Sequence, residues 1–135
     1  MARGWIGTPY RHQASCKGAG TDCLGLVRGV WREAYGAEPE LPPAYTPDWG
    51  EAAAREVLRE AAGRHLVARI DAAEPEAGDV LLFRMRAGVI AKHLGIAVSE
   101  DRFIHAYARH GVIENALSAP WRRRVAAIFS FPDRA

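Results

Sequence analysis

Three side chains in this sequence have types and positions suited to nucleophilic catalysis. The first, Cys23, stands in TDCLGLVRGVWREAYG, where a glycine-rich stretch gives way to apolar residues at helical spacing. Leu26, Val27, Val30, Trp31 and Ala34 follow that spacing, so Asp22 to Tyr35 reads as a helix, capped by Thr21 or Asp22 and followed by Gly36. Cys23 then falls in the first turn. Unpaired N–H groups there carry roughly half a positive charge, which lowers a thiol pKa and favours the reactive thiolate. The same N–H groups can hold an oxyanion. Cys23 shares a face with Leu26, Val27, Val30 and Ala34, so the thiol turns toward whatever the helix packs on. Free cysteine also serves as a small buried filler, and helix position alone leaves that role open.

A nucleophile needs a base. The histidines are His12, His65, His93, His105 and His110. Alternation in KHLGIAVS puts His93, Gly95 and Ala97 on one face and Leu94, Ile96 and Val98 on the other. The small residues beside His93 are expected to admit the helix, bringing its first turn near the imidazole. In RFIHAYA, Phe103, His105 and Tyr107 share a face. Whether the two imidazoles meet depends on register. Opposed residues in an antiparallel hairpin have a constant sum. A sum of 200 pairs Gly95 with His105 and places both histidines on one face. A two-residue turn at Glu100–Asp101 gives 201 and separates them. An odd-numbered loop or a bulge is therefore expected. His105 can then orient His93 and fix its tautomer, as a carboxylate or amide does in other triads. One Cys and two His also suit zinc with an open position, although ligands from distant segments lack the short paired spacing of structural zinc motifs. His12, His65 and His110 sit beside loop or turn signals and read as surface.

The elements that must position these groups follow from composition and pattern. The chain has 135 residues, the usual size of one domain, with 49% hydrophobic and 25% charged residues. A net charge of +2 gives no argument for nucleic acid or a membrane surface. Arg122 to Arg124 reads as a solvated strand or turn. No stretch approaches the roughly 18 apolar residues of a membrane span, and MARGWIGTPYRH has no signal-peptide pattern, so the expectation is synthesis in the cytoplasm. Cys16 and Cys23 do not make a disulfide framework. Gly4 to Gly20 reads as loop, AEPELPPAYTPDWG as a proline-rich crossing, and EAAAREVLREAAG as a second helix ended by Gly63. Then GDVLLFRM, KHLGIAVS, RFIHAYA, GVIENAL and RVAAIFSF are β-prone runs between turn signals. Helices first and about five strands after them imply an α+β fold, with helices on one face of an antiparallel sheet and hairpins throughout.

With these elements in order, the chain resembles the NlpC-type peptidases, papain-like cysteine peptidases that cut peptidoglycan stem peptides. GTPYRHQ resembles their Gly-x-Pro-Tyr segment, TDCLGL their Asp-Cys-Ser-Gly nucleophile motif and EAGDVLLF their Pro-Gly-Asp-Leu strand. KHLGIAV resembles their His-Val-Gly-Ile strand, and RFIHA the strand holding the third polar residue. The form GTPYRHQ…DCLGLVRGVWRE looks most like the branch encoded in phage and gene-transfer-agent tail clusters.

The resemblance implies one catalytic domain over residues 1–135, a papain-like α+β fold with N-terminal helices on a roughly five-stranded antiparallel sheet. It implies Cys23 as nucleophile, His93 as general base and His105 as the orienting residue. Tyr10 matches a tyrosine whose hydroxyl helps hold the oxyanion. Asp22 matches an aspartate that contacts the free amine of the stem peptide, while its residue type alone reads as a helix cap. No metal or cofactor is implied. The implied target is the γ-D-glutamyl to diaminopimelate bond. The implied partners are a peptidoglycan stem peptide and phage-like tail proteins, with no nucleic acid and no membrane insertion. The expected site of action is the cell wall or periplasm, reached by delivery in a phage-like particle.

Leu24 departs from the family serine and removes a hydrogen-bonding group. Cys16 matches no family role and reads as inert or as a regulatory disulfide partner of Cys23. Two other readings stand beside the peptidase. One is an amidase or acyltransferase on the same fold. The other is a non-catalytic tail-assembly or wall-binding module, marked by a thiol inert to alkylation at pH 6.

Overall fold

Each of the five β-prone runs forms a strand. The computed structural model describes residues 2–38, 62–69, 74–84, 93–107 and 109–132. A 3-10 helix, Ala2–Trp5, leads to a hairpin of β1 (Ser15–Cys16) and β2 (Gly20–Thr21), and then to helix α1 (Cys23–Tyr35). Five strands follow: β3 (Val67–Ala68), β4 (Val80–Phe83), β5 (His93–Ala97), β6 (Arg102–Tyr107) and β7 (Gly111–Ala116). A short helix α2 (Ala119–Arg124) and β8 (Val125–Ser130) complete the order. The fold is α+β, as expected.

The main sheet has six antiparallel strands in the order β3-β8-β4-β5-β6-β7, one more than the sequence announces. The extra strand, β3, is two residues long and exposed, too short to show alternation. Hairpins link β5, β6 and β7. The last strand departs from that expectation. From β7 the chain crosses the sheet through α2 and inserts β8 between β3 and β4. Arg122, Arg123 and Arg124, expected as a solvated strand or turn, form the last turn of α2. Residues 62–65 are helical and run through Gly63, with Leu66 N–H donating to Ala62 C=O at 2.8 Å. Gly63 therefore does not end that helix. The remainder of the second-helix reading, and most of the proline-rich crossing, lie outside the described residues.

Strand alternation splits the interior into two layers. On one face α1 buries Leu26, Val27 and Val30 against Val80, Leu82, Leu94, Ile96, Ile104 and Ala106. On the other, Leu81, Phe83, Ala97, Phe103 and Leu117 pack with Trp121. The helix thus lies on the Leu94–Ile96 face of β5, not on the small-residue face of His93. Aromatic rings fill the small-residue face instead. A Cβ on Gly95 would meet the Phe103 ring at 2.9 Å and the Phe83 ring at 3.3 Å. Burial of apolar area explains the choice, at about 25 cal/mol per Å². The Leu94–Ile96 stripe offers the helix far more of it than Gly95 and Ala97 do.

The N-terminal segment holds the helix and closes one sheet edge. Trp5 is buried and its Nε1–H donates to Glu33 at 2.6 Å. Gly7 N–H donates to Val112 C=O and Val112 N–H to Thr8 C=O, at 3.0 and 2.9 Å. Those bonds occupy part of the open edge of β7.

Candidate active site

Asp22 begins the site. Its backbone is extended, and one carboxylate oxygen accepts from Gly25 N–H at 2.7 Å, so Asp22 rather than Thr21 caps α1. The other oxygen accepts from Gln13 N–H at 2.7 Å, with His12 Nδ1 3.9 Å away. His12 is exposed, as its sequence context suggests, but it is paired with Asp22. Both Asp22 oxygens therefore hold main chain in a buried position, the cap role that its residue type implies.

The loop before the helix is tied down in the same way. Thr21 N–H donates to Pro9 C=O at 3.0 Å, Arg11 N–H to Thr21 C=O at 2.9 Å, and Asp22 N–H to Ala14 C=O at 3.2 Å. Ser15 Oγ donates to Gly25 C=O at 2.6 Å. This approach is so close that a Cβ on Gly25 would sit 1.9 Å from the Ala14 carbonyl oxygen.

Cys23 is buried at the start of α1, near the N–H groups of Leu94, Leu24 and Cys23 itself. These favour a thiolate. Burial, and next the adjacent Asp22 carboxylate, outweigh them and push the thiol up to about 12. The sequence-based expectation of a lowered thiol pKa is reversed, and magnitudes show why. A helix terminus supplies about 0.3–1 kcal/mol, whereas full burial shifts a pKa by up to about 3–5 units. Alkylation at pH 6 consequently does not separate an enzyme from a binding module here. Both cysteines are free, Cys16 exposed and Cys23 buried. Tyr10 is half-buried and bridges to Thr21. Burial, then the nearby Cys23 and Asp22, raise its phenol to about 12, which keeps the hydroxyl protonated.

The histidines lie on the sheet. Ile96 pairs with Ile104 and Ala97 with Phe103, the sum-200 register. Val98 N–H donates to Arg102 C=O at 3.0 Å and closes an odd-numbered loop over residues 99–101. Both imidazoles consequently fall on one face, with His93 Nε2 2.8 Å from His105 Nδ1. His105 Nε2 lies 2.9 Å from Asn115 Oδ1 on β7, a residue the sequence reading passed over. Its signal was modest. Asn115 shares the alternation of Ile113, which pairs with His105, but nothing local announced the β6–β7 register.

Aromatic rings enclose the pair. Phe103 and Tyr107 have centroids 4.5 and 5.2 Å from the His105 ring. Trp121 of α2 stands edge-on to His105 at 5.1 Å, and Arg124 lies over its indole. His110 is exposed and stacks on Tyr107 at 5.5 Å; His65 is half-buried. Burial, then the neighbouring His105, lowers His93 to about 3. Burial also lowers His105, against the hydrogen bond to Asn115. Both imidazoles are neutral at neutral pH, so the resting site is an uncharged thiol and an uncharged histidine pair. Among the described residues no group of three His, Cys, Asp or Glu side chains is placed to hold a metal ion.

The start of β5 links the two halves, since the Leu94 N–H, next to His93 in the chain, favours the Cys23 thiolate. A thiol at a helix start, set against an antiparallel sheet that carries a histidine pair, is the papain-like arrangement. The NlpC/P60 family model matches residues 7–129, and the chain belongs to that family. It is 31% identical over 121 residues to the murein DD-endopeptidase MepS/murein LD-carboxypeptidase of Escherichia coli (strain K12), an alignment covering 89% of this chain. The chain spans about half the length of that curated relative, 54%. The NlpC/p60 domain of peptidoglycan hydrolase SagA has a similar fold, with a TM-score of 0.63 at 24% identity over 96% of this chain and 92% of that one. An NlpC/P60 family protein from Bacillus cereus ATCC 10987 aligns with a TM-score of 0.66 at 18% identity, over 96% of this chain and 37% of the other.

Proposed function

We propose that this chain is a cysteine endopeptidase acting on peptidoglycan stem peptides. The observation that carries the reading is a buried Cys23 thiol at the start of α1, with the Leu94 N–H favouring its thiolate, and the hydrogen-bonded His93–His105 pair on the strands that follow. Because thiol and imidazole are neutral at rest, the proton passes from Cys23 to His93 as the sulfur attacks the peptide carbonyl. His105 holds the imidazolium that forms. The oxyanion is received by the Cys23 backbone N–H and the Tyr10 hydroxyl. His93 returns the proton to the leaving amine, and water then hydrolyses the thioester.

The proposed scissile bond is the one between γ-D-glutamate and diaminopimelate. A second reading is favoured by the relative from E. coli, whose name specifies DD-endopeptidase and LD-carboxypeptidase activities. Leu24, next to the nucleophile and partly buried, offers substrate an apolar surface where the resembling motif has a hydroxyl. Action at the cell wall after delivery by a phage-like tail rests on the likeness of the GTPYRHQ and DCLGLVRGVWRE segments alone.

The deciding experiment is mass-spectrometric analysis of purified muropeptides, both uncrosslinked stems and crosslinked dimers. Wild type, Cys16→Ala and Cys23→Ala are compared. Cleavage lost only in Cys23→Ala is expected, and the product masses identify the bond. Intact muropeptides after incubation with wild type would sink the reading and favour an amidase or acyltransferase.

A further inference from the structure

Asn115 has no task in the steps above, yet it touches the histidine pair. It lies opposite Phe103 in the β6–β7 register, and its Oδ1 sits 2.9 Å from His105 Nε2. An amide oxygen can only accept. His105 Nε2 therefore carries the hydrogen. A neutral imidazole has one N–H, so His105 Nδ1 presents a lone pair. The 2.8 Å contact to His93 Nε2 then takes its hydrogen from His93. That leaves His93 Nδ1 unprotonated, the state a base requires.

The reverse amide orientation runs every hydrogen the other way. Asn115 Nδ2 would donate to His105 Nε2, and His105 Nδ1–H to His93 Nε2. The hydrogen of His93 would end on Nδ1, where it blocks proton uptake. The direction of one amide thus decides whether the buried pair can act as a base. We propose that Asn115 is a positioning residue that, acting through His105, sets the tautomer of His93.

The chemistry of the site suits an amide in this role. A neutral acceptor directs the chain without placing a further charge among Phe103, Tyr107 and Trp121, where an ion would be desolvated. When His93 takes a proton on Nδ1, its Nε2–H still donates to His105. No hydrogen bond has to turn during the reaction.

The kinetic consequence rests on the hydrolase reading; the tautomer does not. Two-bond proton–nitrogen correlation NMR of the full chain at pH 7 is expected to show His93 with hydrogen on Nε2 and a bare Nδ1. Asn115→Leu should mix the two tautomers, and Asn115→Asp, which keeps an acceptor, should retain the wild-type form. On a muropeptide that wild type cleaves, Asn115→Leu should lower kcat about 10- to 100-fold with KM unchanged, the scale of one hydrogen bond to a charged group. Asn115→Asp should recover most of it. A hydrogen on His93 Nδ1 in wild type, or an unchanged tautomer in Asn115→Leu, overturns the proposal. If Asn115→Leu does not fold, the wild-type and Asn115→Asp spectra still decide it. Lack of muropeptide cleavage by wild type removes the hydrolase reading and leaves the spectra to judge Asn115.

Discussion

Around Cys23 the interactions are made largely by main-chain groups, whereas around His93 and His105 they are made by side chains. The N–H groups of Leu94, Leu24 and Cys23 favour the thiolate, and Asp22 accepts from the N–H groups of Gly25 and Gln13. The imidazoles face each other, Asn115, and the rings of Phe103, Tyr107 and Trp121. The first region depends on close approach of two backbones. The second depends on strand register and on a dry aromatic shell. Damage to the first should therefore appear as lost folding or lost nucleophile, and damage to the second as altered protonation.

The largest effect expected is chemical. Cys23→Ala should lower muropeptide hydrolysis by at least about 10³-fold, with the thermal melting temperature kept near wild type. Gly25→Val tests the main-chain region directly. Its Cβ has no room beside the Ala14 carbonyl, so unfolding in urea should show a loss of about 3 kcal/mol or more. A variant as stable as wild type would contradict the close-approach account.

Trp121→Ala strips the aromatic shell and should cost about 2 kcal/mol, less than truncation of a fully buried indole. Proton NMR titration should at the same time show the His93 and His105 pKa values moving up toward the ordinary range, because burial is the leading cause of both depressions.

A smaller effect separates the regions by pH. The His93 pKa is depressed in the folded state, so its contribution to stability is complete above the unfolded value of 6.5 and is lost as pH falls toward about 3. Glu33, Glu38 and Glu114, also depressed, act only below their ordinary 4.5. Between pH 6.5 and 4.5, melting temperature should therefore drop more steeply for wild type than for His93→Gln; parallel curves would remove the buried-histidine explanation. The smallest change is in labelling. Peptide mapping after iodoacetamide treatment at pH 6 to 7 should find Cys16 modified before Cys23, since Cys16 is exposed and the Cys23 thiol is held at about 12. Faster labelling of Cys23 would instead show that the helix terminus outweighs burial.

The main-chain region was largely legible in sequence because its interactions are local. Asp22, Cys23 and Gly25 lie within one helical turn, and the apolar spacing of α1 marks where that turn begins. The sum rule also tied the β5–β6 register to loop parity, and the three-residue loop meets that condition. What escaped were interactions that no local pattern encodes. Asn115 reaches His105 only because β7 pairs with β6 in one register. Trp121 roofs the pair only because α2 carries the chain back across the sheet. The helix chose the Leu94–Ile96 face of β5 although the opposite face carries the smaller residues.

By itself the sequence determined where α1 starts, that Cys23 opens it and that five runs form strands, and it made an odd β5–β6 loop the condition for His93 and His105 to share a face. These follow from steric periodicity and capping, which act over a few residues. The tertiary structure alone decided which face the helix covers, which residue follows His105, and the charge state of the resting site. Those outcomes depend on competing burial of apolar area and on desolvation, which sum over groups far apart in the chain. A thiol that local electrostatics would ionise is kept neutral for that reason.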